Sequence, residues 1–295
     1  MTERITAVRP TLRPTPRLAL PRFRMRPGSL IAHAILVLAT IWLAGPFLWE
    51  VLTAFKTLTE ATSVPPTWLP SQWRFGNFTA AFRGIPLLAM LSNSVISTLA
   101  RTAGQVLFSA TAAYAFARLR FPGRNLLFGV FLSVLMVPGQ LLVIPQYQLI
   151  QSLHLLNTIP ALFLPGMFGA FGIFMLRQFF AALPAELEEA ARLDGASTGR
   201  IFATIMLPLA SPGLVALGLI TMISSWNDFL WPLVVNSDPG KMTLPVGLSY
   251  LQGQYQSNYP VLMAGSLVAT LPMILIFLFL QRRVMEGIAL SGSKA

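Results

Sequence analysis

The sequence contains no cysteine and only two histidines, His33 and His154. The absence of cysteine excludes disulfide bonds and thiolate metal sites. The two histidines are far apart in the chain and have no cluster of potential metal ligands beside them. A histidine in that setting is usually a packed or interfacial side chain, so we expect no metal site in this chain.

Charged residues are also scarce, at 11% of the chain against 55% hydrophobic residues. A soluble domain carries roughly 25% charged residues, so this composition is typical of a membrane protein. The net charge of +11 is concentrated in the first 28 residues, which hold seven arginines, one acid and five prolines. Such a segment cannot bury a core. We expect residues 1–28 to form a disordered basic cytoplasmic arm that contacts anionic lipid and binds no nucleic acid.

Six segments are long and apolar enough to cross a bilayer, which takes about 20 helical residues. We therefore predict an all-α, polytopic integral membrane protein in which residues 29–295 form the transmembrane domain. The six predicted transmembrane helices are residues 29–49, 96–117, 125–145, 160–176, 212–235 and 261–280. Residues 85–95 are expected to form an interfacial or loop segment, which places Arg101 near the outer interface.

The distribution of lysine and arginine predicts the orientation of these spans. If the amino terminus lies inside, 16 of the 21 such residues fall in cytoplasmic segments and 4 in external ones. Because cytoplasmic loops of membrane proteins carry an excess of these residues, both termini are predicted to be cytoplasmic. The loop between spans four and five, residues 183–211, then lies in the cytoplasm as well.

Loop 183–211 is predicted to form two short helices joined by a turn. Pro184 suits a first helical turn, and the acids that follow it favour the positive end of the helix dipole. Gly195 stands where a left-handed residue would end that helix. A second helix is predicted over residues 198–206, stopping at Pro208. The loop is longer than a plain connector needs to be, so it is either a simple surface link or an element that docks onto a partner.

A fixed pattern of residues runs through this loop. Its members are Glu189, Ala190 and Ala191, then Gly195 after three residues, then Ile205, Leu207 and Pro208 after nine more. The pattern, E-A-A-x3-G-x9-I-x-L-P, resembles the cytoplasmic loop of bacterial ABC importer permeases at every fixed position. Asp194 beside the glycine, and the run from Trp226 to Pro232, resemble the carbohydrate-uptake branch and its smaller maltose-type permease subunit.

The resemblance implies half of the translocation path of an ATP-driven importer for a sugar or sugar-like solute, in the bacterial plasma membrane. The implied partners are a second permease subunit, two ATPase subunits and an extracytoplasmic solute-binding protein. The loop would carry a coupling helix that seats on an ATPase. The residues implied in coupling are Glu189, Ala190, Ala191, Asp194, Gly195, Ile205, Leu207 and Pro208. Systems of this branch also carry glycerol-phosphate solutes, which are therefore an alternative.

The sequence has no phosphate-binding P-loop. Its only Gly-Lys pair, Gly240 and Lys241, is followed by Met242 where the motif requires Ser or Thr, and the first glycine of the motif is missing. We therefore expect no catalytic residue and no cofactor in this chain. By the resemblance, ATP and Mg²⁺ would be bound by the partner ATPase.

Asp228 is the one acid inside a predicted span. An acid at the centre of a membrane helix costs about 2.5–3.5 kcal/mol, which a polar cavity or a partner must offset. Trp226, Asn227 and Trp231 surround it in sequence, and rings beside amides suit a sugar site, so these four residues are the predicted substrate path. Alternatively, Asp228 is a structural acid that pairs with the second permease subunit. An ion-coupled carrier is the alternative from another class, but it would need more intramembrane charges than Asp228 and Arg101.

Two further features of the spans concern their shape. Gly166, Gly169 and Gly172 recur every three residues, which favours close helix packing over a gating hinge because small residues let backbones approach. Pro138 in span three and Pro272 in span six each predict a kink.

Overall fold

A computed structural model describes residues 27–252 and 257–292, so the predicted arm over residues 1–28 lies almost wholly outside the described residues. Within these ranges the chain is helical or irregular and has no β-strand. The helices are α1 (Pro27–Ala54), α2 (Leu58–Ala61), α3 (Gly76–Gly84), α4 (Leu87–Arg118), α5 (Arg124–Ser133), α6 (Val143–Ser152), α7 (Ile159–Phe163), α8 (Ala170–Ala182), α9 (Glu186–Leu193), α10 (Thr198–Ile201), α11 (Leu207–Leu209), α12 (Ser211–Trp226), α13 (Leu230–Val235), α14 (Leu244–Tyr250) and α15 (Tyr259–Gly292).

The chain divides into two compact units, residues 1–47 and 48–295. The described part of the first unit belongs to α1. Its apolar side chains, such as Leu38 and Trp42, are exposed, which suits a helix surrounded by lipid. All the sites described below belong to the second unit.

Two described helices, Ile31–Ala54 and Tyr259–Phe279, are long and apolar enough to cross a membrane alone. Four further candidates are pairs of helices that are bent by 45° to 101° at a short break. The pairs are Gly76–Gly84 with Leu87–Arg118, Arg124–Met136 with Gly139–Ser152, Ile159–Met167 with Ala170–Ala182, and Thr198–Leu209 with Ser211–Trp226. If each pair is one span, the total reaches six by length and composition. Each predicted span overlaps one of these candidates.

Residues 85–95 were predicted to be an interfacial segment or a loop, and the loop alternative is wrong because α4 is helical from Leu87 onward. Leu87 is buried in an apolar cluster with the segment that precedes α14. The side-chain amide of Asn93 donates hydrogen bonds to the carbonyl oxygens of Gly240 and Met242 at 3.0 and 2.9 Å. Contacts with residues about 150 positions away therefore keep this segment helical, and the sequence of the segment itself does not reveal them.

Helix α4 is the central element of the second unit and packs along α8 and α12. The largest buried cluster lies where the carboxyl-terminal half of α4 meets α8, α12 and the loop between those two helices. Its members are Ala110, Ala113, Tyr114, Leu176, Phe180, Ala191, Ile201, Met206, Ala210 and Leu217. Four of these come from loop 183–211. The loop is therefore anchored in the core and is not a simple surface link.

Two breaks in the helices bear on the sequence predictions, one at Pro138 and one between α12 and α13. The kink predicted at Pro138 is confirmed, since the helical segments on either side meet at 101°. Pro272, by contrast, lies inside α15, which is one continuous helix. The predicted span 212–235 was expected to be continuous, but it is interrupted between α12 and α13. There Asp228 Oδ1 accepts a hydrogen bond from the backbone N–H of Trp231 at 3.4 Å. An acid at the start of a helix satisfies an N–H that would otherwise have no partner, which explains the break.

Candidate functional sites

Loop 183–211 contains the predicted glycine turn. Helix α9 ends at Leu193, and Gly195, two residues later, has a φ of +80°. The Gly195 N–H donates to the carbonyl of Arg192 at 3.0 Å, and the Ala196 N–H donates to the carbonyl of Ala191 at 2.9 Å. These two hydrogen bonds form a Schellman motif, in which glycine is preferred because a side chain strains the left-handed backbone.

The second helix of the loop is longer than predicted. Residues Thr198–Leu209 form one helical segment, which widens to a π-helical turn over Phe202–Met206. Pro208 does not end it, and the chain bends by 75° only between this segment and α12. A proline has no N–H to donate within a helix, and the wide turn before Pro208 removes the need for that hydrogen bond.

The residues of the loop pattern divide between a buried and an exposed face. Ala191 is buried, and Ile205 and Leu207 pack against the main cluster while partly exposed. The exposed members of the pattern are Glu189, Ala190, Asp194, Gly195 and Pro208. Beside them lies Leu193, an apolar side chain that is 90% exposed and that the sequence analysis did not single out. One face thus anchors the loop, while the other presents acid and apolar groups outward.

Glu188 is the second residue of the loop that the sequence analysis missed. It is buried, in contrast to Glu186 and Glu189 on the same helix. Its carboxylate lies within ion-pair distance of Arg118 and Arg192. The available signal was helical spacing, because Glu188 precedes the buried Ala191 of the pattern by three residues and so shares its face.

A second candidate site is a cavity of about 590 Å³, a volume within the usual range of small-molecule pockets, about 300–1,000 Å³. Helices α4, α8, α12 and α13 contribute to its wall, together with the breaks near Gly139 and Gly166. The side chains with hydrogen-bonding groups are Arg101, Gln105, Gln140, Gln146, Thr221, Ser224 and Asp228, and the aromatic ones are Phe168, Phe171 and Trp231. Such a lining offers amides and hydroxyls to hydroxyl groups, and rings to C–H faces.

The two charged side chains of this cavity wall face each other. Arg101 Nη1 lies 2.8 Å from Asp228 Oδ2, and each side chain is about a quarter exposed, at 24% and 23%. This charge-assisted hydrogen bond offsets the cost of an acid in an apolar protein segment. Arg101, which we expected at the outer interface, thus has its guanidinium on the cavity wall. Asp228 has a partner within its own chain, where a second subunit was one expected alternative.

Two of the four residues predicted for the substrate path line the cavity, namely Asp228 and Trp231. The indole of Trp231 is fixed by a hydrogen bond from Nε1 to the carbonyl of Ala161 at 2.8 Å. Trp226 is buried elsewhere, and its Nε1 donates to a carbonyl in α15 at 3.2 Å. Asn227 ends α12, with its side-chain amide donating to the carbonyl of Ile223. Trp226 and Asn227 therefore shape the break and do not form the wall of the cavity.

The glycines predicted to mediate close packing do so beside this cavity. They lie against polar side chains of α4 that are spaced four residues apart. A Cβ atom would come within 2.2 Å of Arg101 Nε at Gly166, within 2.6 Å of Gln105 Nε2 at Gly169, and within 2.4 Å of Ser109 Oγ at Gly172. Real Cβ atoms essentially never show contacts under 3.0 Å, so the packing prediction is confirmed. We call these three contacts the glycine seam.

Comparison with known proteins covers both candidate sites. Residues 105–286 match the family described as binding-protein-dependent transport system inner membrane component. The chain belongs to this family. The matched residues include the whole of loop 183–211 and most of the cavity wall, so the permease resemblance drawn from the loop pattern is confirmed.

The permease also resembles individual proteins over most of its length. It is 38% identical over 252 residues to the arabinooligosaccharides transport system permease protein AraQ of Halalkalibacterium halodurans, covering 84% of this chain and 90% of that protein. It is 36% identical over 265 residues to the diacetylchitobiose uptake system permease protein NgcG of Streptomyces coelicolor, covering 88% and 87%. A crystal structure of a bacterial ABC transporter that imports the acidic polysaccharide alginate shares the fold, with a TM-score of 0.75 at 21% identity and coverage of 86% and 95%.

Proposed function

We propose that this permease forms half of the translocation path of an ATP-driven importer for an uncharged sugar or oligosaccharide. The observation that carries the proposal is the polar cavity, whose lining combines three glutamines with hydroxyls and aromatic rings. Planar amides donate to and accept from sugar hydroxyls, and aromatic faces pack on the C–H faces of sugar rings. The two relatives above are named for carbohydrate solutes, which supports the same solute class.

The cavity favours an uncharged solute over the glycerol-phosphate alternative. A phosphate group needs an available cation or a set of backbone N–H donors. The cavity's arginine, Arg101, is already engaged by Asp228 at 2.8 Å, so an anion would have to displace a carboxylate. The same pairing disfavours an ion-coupled carrier, because Asp228 is not a free carboxylate available to a coupling ion.

We propose that loop 183–211 is the cytoplasmic coupling element. Its exposed face combines Leu193 with Glu189, an apolar group beside an acid, which suits a cleft that has apolar walls and a basic rim. The docking partner is an ATPase subunit that binds ATP and Mg²⁺, since this chain has no P-loop to do so. A second permease subunit, a second ATPase copy and an extracytoplasmic solute-binding protein complete the assembly.

The proposed topology has six spans, with both termini in the cytoplasm. Under this arrangement the basic arm of residues 1–28 lies along the cytoplasmic leaflet, where anionic lipid attracts arginine. The bent helix pairs then serve as broken spans. Broken helices at membrane depth are tolerated where their freed backbone groups line a cavity, and the cavity described here lies at the breaks of two such pairs and at the break between α12 and α13.

The test uses the permease purified with its co-expressed partner subunits. Leu193→Glu places a charge in the proposed docking face, and we expect the purified complex to lose its ATPase subunits because the charge would be buried without a partner. Gly195→Ala strains the turn by about 1–2 kcal/mol and should weaken ATPase retention in the same assay.

The matched control for the glycine substitution is Gly199→Ala. Gly199 is in the same loop, but a Cβ there meets nothing within 4 Å and its φ is not left-handed. That variant should retain the ATPases. If Leu193→Glu retains all of its ATPase subunits and its solute-stimulated ATP hydrolysis is normal, then another surface of the permease binds the ATPase.

The solute class is tested in proteoliposomes that contain the complete complex. Uptake of neutral oligosaccharides is measured beside uptake of sn-glycerol 3-phosphate, each presented with the co-purified binding protein. Preference for the phosphate would overturn the assignment of an uncharged solute.

A further inference from the structure

Glu188 differs from every other acid of the coupling loop in its surroundings. Its side chain is only 7% exposed, whereas those of Glu186 and Glu189 on the same short helix face outward. It lies on the inward face of α9, beside the apolar cluster that α4 and α8 share with the loop. A buried carboxylate is retained in a protein only when cations or donors are arranged around it.

Arg118, the last residue of α4, supplies the principal cation. Its Nε lies 3.5 Å from Glu188 Oε1, and its side chain is 12% exposed. The same guanidinium donates hydrogen bonds to the carbonyl of Phe180 from Nε at 3.0 Å and from Nη2 at 2.7 Å, and another to the carbonyl of Leu183. One side chain therefore joins the end of α4, the end of α8 and the start of the coupling helix.

The guanidinium suits this junction for reasons of geometry. Its five N–H groups have fixed directions in one plane, so it can donate to two carbonyls while its charge stays beside the Glu188 carboxylate. The last carbonyls of a helix such as α8 also have no partner within the helix and attract positive charge. A lysine could replace the charge but not the simultaneous contacts.

Glu188 also pairs with Arg192. Arg192 Nη2 donates a hydrogen bond to Glu188 Oε2 at 3.4 Å, but the arginine side chain is 53% exposed and comes from the same helix, four residues later. This pair lies within α9 and therefore does not connect Glu188 to another helix. Arg118 is the buried cation that connects Glu188 to helices outside the loop.

We propose that Arg118 is a positioning residue that makes α9, α4 and α8 move together, so that displacement of the loop reaches the cavity. The proposal rests on the proposed function of the loop as the element that docks onto the ATPase. Helix α4 carries Arg101 and Gln105 on the cavity wall, and Arg118 at its other end holds the loop. Without the guanidinium, the loop keeps its apolar packing against α4 and α8 but loses its polar connection to the ends of both helices.

The test measures cavity opening directly and needs no identified solute. Because the chain contains no cysteine, Ser224→Cys places one thiol in the cavity wall. The complex with its partner subunits is labelled with fluorescein-5-maleimide, first without nucleotide and then after trapping with ATP and vanadate. The rate of labelling in the two states gives the conformational response, and ATP hydrolysis is measured on the same sample.

Arg118→Gln should still bind the ATPases and hydrolyse ATP, but the change in labelling rate on trapping should fall about tenfold, a loss typical of a broken coupling between sites. Arg118→Lys keeps the charge and should show an intermediate response. Arg124→Gln is the matched control, since Arg124 donates to the nearby carbonyl of Leu119 at 3.1 Å, and it should respond as the parent does.

Each outcome bears on one proposal. A parental labelling response in Arg118→Gln overturns the positioning role. If that variant does not fold, Arg118→Lys decides, and a parental response there overturns the proposal equally. If Leu193→Glu retains its ATPases, the proposed docking function of the loop fails, whatever Arg118 does.

Discussion

The glycine seam predicts that Gly172→Ala destabilises the protein, although the same substitution in a helix is usually stabilising. Replacing a helical glycine by alanine normally stabilises a helix by about 1 kcal/mol, because alanine loses less backbone freedom on folding. At Gly172 in α8, however, the new Cβ would lie 2.4 Å from Ser109 Oγ, 2.7 Å from Gln105 Nε2 and 3.0 Å from Ser109 Cβ. Turning the serine hydroxyl away relieves only the first of these contacts.

The surroundings leave little room to relax. Ser109 is 1% exposed and Gln105 is 7% exposed, so α4 and α8 must separate or both side chains must leave their rotamers. Overpacking of this kind costs typically about 1–3 kcal/mol. After the helical gain of about 1 kcal/mol is subtracted, the net cost is about 0–2 kcal/mol, and at about 2–4 °C per kcal/mol we expect Gly172→Ala to lower the melting temperature by up to about 8 °C.

The assay is thermal unfolding of the detergent-purified permease, followed by the intrinsic fluorescence of its six tryptophans. The matched control is Gly129→Ala in α5, where a Cβ would meet nothing within 4 Å, and its melting temperature should stay constant or rise. If the melting temperature of Gly172→Ala equals that of Gly129→Ala and is no lower than that of the parent protein, then α4 and α8 are not packed as tightly as described and the reasoning is wrong.

Three other predictions concern charge and topology. Asp228→Asn leaves Arg101 without its anion, so solute-stimulated ATP hydrolysis should fall well below that of the parent, and unchanged stimulation would mean that the pair has no role in the cavity. Hydrogen bonds from Ser71 and Thr57 lower the pKa of Glu60 to about 2 from an ordinary value of 4.5. The ionised Glu60 side chain therefore stabilises the segment from Thr57 to Ser71 fully above about pH 4.5, and this stabilisation is lost as the pH falls through about 2. Glu60→Gln should raise the rate of backbone amide hydrogen exchange in that segment at neutral pH. An unchanged exchange rate would contradict this prediction. A cysteine at Ser71 should react with a membrane-impermeant maleimide added outside intact cells, while one at Ser197 should react only after lysis, and the reverse pattern would invert the topology.

The glycine turn of loop 183–211 could be predicted because its signals are local. The acids after Pro184, the glycine at residue 195 and the spacing to Ile205 are all contained within about two dozen residues of sequence, and a Schellman turn depends on little else. The glycine seam could also be predicted from local sequence, since small residues at regular spacing indicate close packing whatever the partner helix is.

The cavity could not be foreseen to the same degree because it depends on distant residues. Arg101 and Asp228 are 127 positions apart, and no periodicity connects them. At the break before Trp231, the Asp228 side chain accepts the Trp231 N–H in place of a helical carbonyl. A hydropathy pattern gives no sign of such a hydrogen bond. Helix α4 begins early because Asn93 finds carbonyl partners in a segment near residue 240.

The length of α4 has a mechanical consequence. Arg101 and Arg118 are held by different parts of the molecule, and at 1.5 Å per residue the helix between them is about 26 Å long. A rod of that length that pivots by about 5° at one end displaces the other by about 2 Å, which is the scale of helix shifts in allosteric proteins. The glycine seam fixes α4 from Arg101 to Ser109, at the cavity end of this rod, so a modest movement of the loop end would pivot α4 about the seam and tilt the helix at the cavity wall.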